Sequence, residues 1–263
     1  MLSWRARKQL AVLLILGGVV ATIIGVVAYR YWPAPSCVDQ KMNQREEGID
    51  CGGPCVACAV KNALPPVVFW TRAVELRPGF YDVAAEIQNQ NTGAAAARIT
   101  YEFALVDRVG VMSTRVGTTF LYPQERAAVI ETSVEAPRGV ATGVEFRVVE
   151  VEWMASRESL PKMVVEQRAH RIAEDGGAPR SMVEADIFND SPLGFRDVEV
   201  LVLALDASES VIGVNKVFIE KLNAGSRAHV RAFWPRPLVG EVVRLRVDPR
   251  VNIFNPAAIL RPE

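Results

Sequence analysis

Histidine is almost missing from this chain. His170 and His229 are the only two among 263 residues, and neither has a cysteine, serine or carboxylate at a recognisable motif spacing. That argues against imidazole chemistry, which needs several groups in mutual reach. GxSxG, HExxH, a glycine-rich phosphate loop and SxxK with its companion motifs are missing too. An excess of charge is also missing: 30 basic and 30 acidic side chains cancel. No nucleic-acid partner and no polybasic lipid-binding surface is expected from such a balance. Long amphipathic helical periods are absent, while valine, alanine and turn residues recur. The expectation is a non-enzymatic, mainly β protein.

One long apolar run is present. Leu10 to Tyr29 carries no charge and has Thr22 as its one polar side chain. A helix of that length spans the roughly 30 Å hydrocarbon core of a bilayer. Arg5, Arg7 and Lys8 precede it, and Arg30 alone follows closely. The positive-inside rule then puts residues 1–9 in the cytoplasm and the bulk of the chain outside, behind a span at 10–31. A cleaved signal has a shorter apolar core and a small-residue cleavage site. Here Tyr29, Tyr31 and Trp32 follow instead, like an interfacial aromatic belt. Lipid attachment at Cys37 is disfavoured by Pro35 before Ser36. The localisation expected is the cell membrane, by a single uncleaved pass. Gly17, Ala21 and Gly25 are spaced four apart, a small-residue face able to pack two anchors weakly together.

Residues 32–66 hold a stiff Trp32-Pro33-Ala34-Pro35 spacer, all four cysteines and a second linker, Leu64-Pro65-Pro66. Cys37, Cys51, Cys55 and Cys58 on the exported side read as two disulfides, with three pairings open. So short a segment cannot bury an apolar core and needs crosslinks. Zinc on four thiolates is the competing reading, disfavoured by the oxidising compartment and by the lack of paired CxxC knuckles. Asp39, Asn43, Glu46 and Asp50 offer hard oxygen ligands suited to Ca²⁺. The alternative is that they cap turns through the backbone.

This stretch resembles the CxDGxxNGxExGxDCGGxCxxC pattern of extracellular and surface-anchored bacterial proteins. Cys37, Asp39, Asn43, Glu46, Gly48, Asp50, Cys51, Gly52, Gly53, Cys55 and Cys58 match it. Gln40 and Gln44 replace two of its glycines, so a less tightly turned loop is expected.

From Val67 onward the pattern is β. Tyr81, Val83, Ala85 and Ile87 alternate with Asp82, Ala84, Glu86 and Gln88, a half-buried strand. Ile99, Tyr101, Phe103 and Leu105 do the same. Val144, Phe146 and Val148 give way to Val149, Val151 and Trp153, a flip of face that predicts a bulge. Landmarks recur at an offset of about 100: Asn89 with Asn189, Asp107 with Asp206, Arg126 with Arg227, and Phe146 with Leu245. Two tandem units are expected, 67–158 and 159–263. The linking region holds Ser159-Leu160-Pro161 and Asp175-Gly176-Gly177, with His170 in a charged connection. Glu150 and Glu152, and Arg244 and Arg246, read as solvated strand faces. Phe233-Trp234-Pro235-Arg236-Pro237 is either an aromatic epitope or a protected sandwich edge.

Phe103-x-Leu105-Val106-Asp107 resembles the motif of the FxLYD family of bacterial Ig-like surface domains. The resemblance implies seven-stranded sandwiches outside the membrane and no activity. The expected role is structural: two Ig-like domains held outside the membrane to contact an envelope protein or a cell-wall component. The alternative is an anchored module that takes a glycan or Ca²⁺. The cysteine segment and the two domains are expected to unfold independently.

Overall fold

The computed structural model describes residues 4–31, 36–174 and 177–260. Trp32, the Pro33–Pro35 spacer, Asp175 and Gly176 lie outside the described residues. The chain divides into two compact units, Met1–Cys58 and Ala59–Glu263.

In the first unit, helix α1 runs Trp4–Tyr31. It extends the expected span by two turns into the basic leader. Its apolar stretch, Lys8–Arg30, covers 23 residues at a mean hydropathy of 2.9, with none of it buried. At about 1.5 Å per residue this rises roughly 35 Å, enough to cross a bilayer core. Thr22 Oγ1 donates to the Gly18 carbonyl at 2.8 Å, so the one polar side chain of the run is satisfied within the helix. A short helix, α2 (Cys58–Lys61), begins at the last cysteine and runs across the boundary between the units.

Every strand pairing in the second unit is antiparallel. Its first six strands are β1 (Val67–Arg77), β2 (Phe80–Gln88), β3 (Ala94–Val106), β4 (Val111–Leu121), β5 (Arg126–Glu135) and β6 (Gly143–Ala155). They form two three-stranded sheets, β1-β2-β5 and β4-β3-β6. The next six are β7 (Met163–Ala173), β8 (Arg180–Asn189), β9 (Gly194–Leu205), β10 (Val211–Leu222), β11 (Arg227–Phe233) and β12 (Arg244–Arg250), followed by the two-residue β13 (Ile259–Leu260). They form sheets β11-β8-β7 and β10-β9-β12, with β13 added to β9. The order of pairing is the same in both halves. Each sandwich uses six long strands, not the seven that the resemblance implied.

Alternation explains each inner core. Val83, Ala85, Ile87, Ile99, Phe103, Leu105 and Val129 meet between the first two sheets. Val183, Ile187, Val198, Val200, Val202, Val230 and Trp234 meet between the other two. The bulge expected near Val149 is present, because pairing of β3 with β6 shifts register between Thr100 and Tyr101.

The turns rest on asparagine. Asn89 is fully buried. Its Nδ2 donates to the carbonyls of Ala94 and Tyr122, at 2.8 and 3.0 Å, and its Oδ1 accepts from Asn91 N at 3.0 Å. Asn189, also fully buried, does the same with the Leu193 and Asn223 carbonyls and with Ser191 N. A side-chain amide that satisfies backbone groups on two loops fixes both.

Several expectations are corrected. β2 is not half-buried: every residue from Tyr81 to Ile87 is buried. Its second face packs against another sheet. Ala84, Ala128 and Ile130 on the outside of β1-β2-β5 meet Leu201, Leu203, Leu205, Val211 and Val214 on the outside of β10-β9-β12. The halves therefore share a third core and are not independent. His170 is on β7 and not in a connection; its Nε2 lies 2.9 Å from Ser181 Oγ. Gly177 falls in the link from β7 to β8, whereas Ser159-Leu160-Pro161 falls between β6 and β7. Arg246 does not stand in solvent; it reaches the buried Glu86, with Nη1 2.5 Å from Oε1. Val144 and Leu245 occupy the same rung, against Leu105 and Ala204. The pairing of Phe146 with Leu245 is thus slipped by two residues, which preserves the face because the strand period is two. Leu64, at the start of the second linker, is docked by a reciprocal pair of 2.8 Å hydrogen bonds with Asn91.

Candidate functional site

The cysteine segment has a polar centre. Cys37 pairs with Cys55 and Cys51 with Cys58, and there are no free cysteines among the described residues. Oxidised sulfur offers no thiolate, so a four-thiolate zinc site does not fit this pairing. Cys51, Gly52, Glu46 and Asp50 are the buried residues here. Glu46 Oε2 accepts from Asn43 N at 3.2 Å and Asp50 N at 3.1 Å. Asp50 accepts Gln40 N with both oxygens, at 3.0 and 3.2 Å. Asp39 accepts from Asn43 Nδ2 at 2.8 Å and Lys41 N at 3.0 Å. The Asn43 amide and those backbone donors hold the Asp39 carboxyl below the usual carboxylate range, against a smaller effect of burial.

The structure thus gathers the four oxygen-bearing residues singled out from the sequence, and N–H groups face their carboxylates. This is turn capping: anions replace the apolar core that the segment is too short to build. Gln40 and Gln44 take left-handed backbone, φ 59° and 52°. The loop is turned where the motif has glycine, and glutamine carries the strain. Gly53 shows why the second glycine of the pair stays: at φ +57° its Cβ would lie 2.6 Å from the Arg45 carbonyl oxygen. On α1, Gly17, Ala21 and Gly25 sit on exposed surface, and a Cβ at Gly17 or Gly25 would meet nothing within 4 Å.

The second unit contains a feature that the sequence did not signal. A cleft of about 250 Å³ lies between β1 and the segment after β11. Asp82, Val74, Val211, Trp234, Arg236 and Leu238 line it. Local sequence builds both walls. Strand β5 bulges opposite Asp82, between the Tyr81–Val134 and Val83–Glu131 rungs. The bulge puts Ser133 at φ 57°, and its N–H donates to Asp82 Oδ1 at 2.9 Å. Across the cleft, Trp234 is buried, and its Nε1 donates to the Val214 carbonyl at 3.1 Å. The fully buried Ser181 holds this segment: Trp234 N donates to its carbonyl at 2.9 Å and Leu238 N to its Oγ at 3.0 Å. Trp234 is therefore a core residue and not an exposed epitope.

Charge in the cleft is uneven. Arg236 Nη2 donates to the Glu75 carbonyl at 3.0 Å and stands 3.8 Å from the Glu75 carboxylate. Asp82 is 2% exposed, and no cation pairs with it among the described residues. Burial pushes its carboxyl up to about 6, with the Ser133 N–H pulling weakly the other way. At the other end of the shared core, Glu86 is also buried but fully partnered. It receives Trp70 Nε1 at 2.9 Å, Arg246, and a close contact from Arg126. Burial raises this carboxyl and the two arginines more than offset it, so Glu86 ends below its ordinary value.

His229 lies on the outer face of β11, with Nδ1 2.7 Å from Asp186 Oδ1. It is an exposed strand-face residue. Glu152 pairs with Arg98 at 3.5 Å and Arg244 with Glu209 at 3.0 Å, both in solvent.

The chain matches no family model and no curated protein. Among solved structures, the transglutaminase of red sea bream is similar at 12% identity and a TM-score of 0.19. The overlap covers 68% of this chain and 29% of that one. An overlap so loose carries no argument about fold or chemistry.

Proposed function

We propose that this is a non-enzymatic, single-pass envelope protein. It presents a rigid β body outside the cell membrane, where it contacts an envelope protein or cell-wall material. The helix is the observation that carries this reading. It is apolar across Lys8–Arg30, unburied, and led by Arg5 and Lys8. A helix apolar all round belongs in lipid or in a protein core, and among the described residues none buries this one. Fully paired cysteines support an oxidising compartment for the residues beyond the helix. The common order of strand pairing in the two halves supports two copies of one Ig-like unit, akin to the FxLYD domains.

The test is topology in intact cells. The full-length chain stays in the membrane pellet after a carbonate wash, and external protease removes the β body while sparing the leader. Recovery of a soluble chain that starts near Trp32 would make α1 a cleaved signal and overturn the anchor.

A further inference from the structure

We propose that the cleft at Asp82 is a binding site for a primary ammonium group on an apolar stem, about the size of a lysine side chain. Three features of the cleft converge on that chemistry. The first is the carboxylate itself. Asp82 is almost wholly buried and lines the cleft. Its only hydrogen-bond partner among the described residues is Ser133 N–H, at Oδ1. A buried anion with one bond out of its several acceptor positions is incompletely satisfied, and a cation bearing three N–H donors is the complement it lacks. Its raised proton affinity has the same origin, burial without a countercharge.

The second feature is the wall. Val74, on the rung opposite Asp82, and Val211 and Leu238 give the cleft an apolar lining. Trp234 adds an indole, and an aromatic wall attracts a cation beyond what an aliphatic one would. An apolar stem ending in –NH₃⁺ matches such a lining, whereas a bare metal ion would find Asp82, a Glu75 carboxylate already beside Arg236, and not the six to eight oxygens it needs. The third is rigidity. Ser133 is set by the β5 bulge, and the Trp234–Leu238 segment by Ser181. The cleft is preformed, so little ordering opposes binding. The other charged groups lining it, Arg72, Glu75 and Arg236, do not neutralise Asp82; Arg236 is engaged with Glu75.

The experiment uses full-length protein in nanodiscs at pH 7.5. Two ammonium probes, n-butylammonium and Nα-acetyl-lysine N-methylamide, are titrated while the indole N–H resonance of Trp234 is followed. The Nε-acetylated lysine derivative is the neutral control. The expected result is a saturable shift with either ammonium, none with the acetylated control, and at least tenfold weaker binding in Asp82→Asn. Tighter binding of the lysine derivative assigns the natural source to a protein side chain, and tighter binding of butylammonium assigns it to a free amine; both support the site. Should Asp82→Asn fail to fold, Val74→Phe fills the cleft beside an intact carboxylate and must abolish the shift. Equal shifts with the neutral control, unchanged binding in Asp82→Asn or Val74→Phe, or no saturable shift in the wild-type protein would each overturn the proposal.

Discussion

Strands β2 and β8 hold the same place in their sheets, yet they are buried differently. β8 alternates strictly: Val183, Ala185 and Ile187 are buried, while Glu184 and Asp186 reach the surface. β2 does not alternate, because Ala84 and Glu86 are as buried as Val83 and Ile87. The same contrast separates β3 from β9. Glu102 stands on the outer face of β3, whereas Leu201, Leu203 and Leu205 line the outer face of β9. So of four outer faces, two are apolar and two are polar, and the apolar two are those that meet. Ala84 and Ala128 face the partner sheet, where the other half has Glu184 and His229. The two sandwiches share one order of strand pairing and differ in which outer face is apolar.

The difference has energetic content. Each leucine of the β9 face is worth about 1.5–3 kcal/mol on burial, so the seam is a core and not a contact of convenience. Its ends are polar. At one, Glu86 is held by Trp70, Arg126 and Arg246; at the other, Asp82 faces the cleft with a single backbone partner. A second seam reinforces the first. Tyr122 Oη donates to the Val251 carbonyl at 2.8 Å, and the buried Arg250 donates to Glu125 at 2.8 Å and to the Phe120 carbonyl at 2.6 Å.

The largest expected effect comes from placing a charge in the seam. Leu203→Lys buries an unpaired ammonium and should destabilise the β body by several kcal/mol. Glu102→Lys, on the matching but unpartnered face of β3, should cost less than about 1 kcal/mol, because a lysine there extends into water and the half-exposed pair with Arg147 that it removes is worth little. Thermal melts of the two variants measure this. Equal losses would mean that the faces do not differ as described. Phe103→Ala tests the inner core on the same strand. Phe103 has no exposure and packs 4.9 Å from the Phe146 ring centroid, so its truncation should cost about 3–5 kcal/mol.

Next in size is the comparison of Glu86 with Asp186. Glu86→Ala strands two arginines at the edge of the seam and should cost roughly 2–3 kcal/mol, below the fully buried range because both arginines retain water. Asp186→Ala on the open face should cost about 0.5 kcal/mol or less. Chemical denaturation of both proteins would show whether the order holds.

The two buried acids also predict opposite pH behaviour. Glu86 is depressed when folded, so its stabilisation is present above the ordinary glutamate range and is lost as pH falls through it. Asp82 is raised to about 6. Its contribution is fully present below about pH 4, near the unfolded value, and is lost as pH rises through about 6. Asp82→Asn should therefore raise stability at pH 7 by up to about 3 kcal/mol and flatten the stability profile between pH 4 and 6. A steeper profile in the variant would reverse the sign of the account.

The smallest effect belongs to the cysteine segment. Gln40→Gly releases left-handed strain and should stabilise the oxidised segment by about 0.5–1 kcal/mol. Adding Ca²⁺ or a chelator should leave its melting unchanged, since N–H donors face the carboxylates of Asp39, Glu46 and Asp50. A calcium-dependent rise would restore the metal reading.

Much of this was legible in the sequence. The apolar helix, the inner faces of β2 and β3, the bulge at Val149 and the oxygen-rich cysteine loop follow from length, period and spacing. β7 was hidden because it is an edge strand whose polar residues, Glu166 to Arg171, read as a connection. The seam was hidden for a different reason. Asp82 and Glu86 marked the second face of β2 as solvent-exposed, and alanines at 84 and 128 gave no contrary signal. A signal did exist in the unbroken run Val200 to Leu205, which is how a strand buried on both faces reads. The cleft had no local signature, because its walls come from residues 74–82 and 211–238 and meet only after the sheets stack.

The most direct measurement is calorimetry of the full chain with its disulfides intact. A shared core predicts one cooperative transition for residues 67–260, with calorimetric and van't Hoff enthalpies equal, and its division into two in Leu203→Lys. Two separate transitions in the wild-type protein, each unmoved by Leu203→Lys, would contradict a common core between the sandwiches.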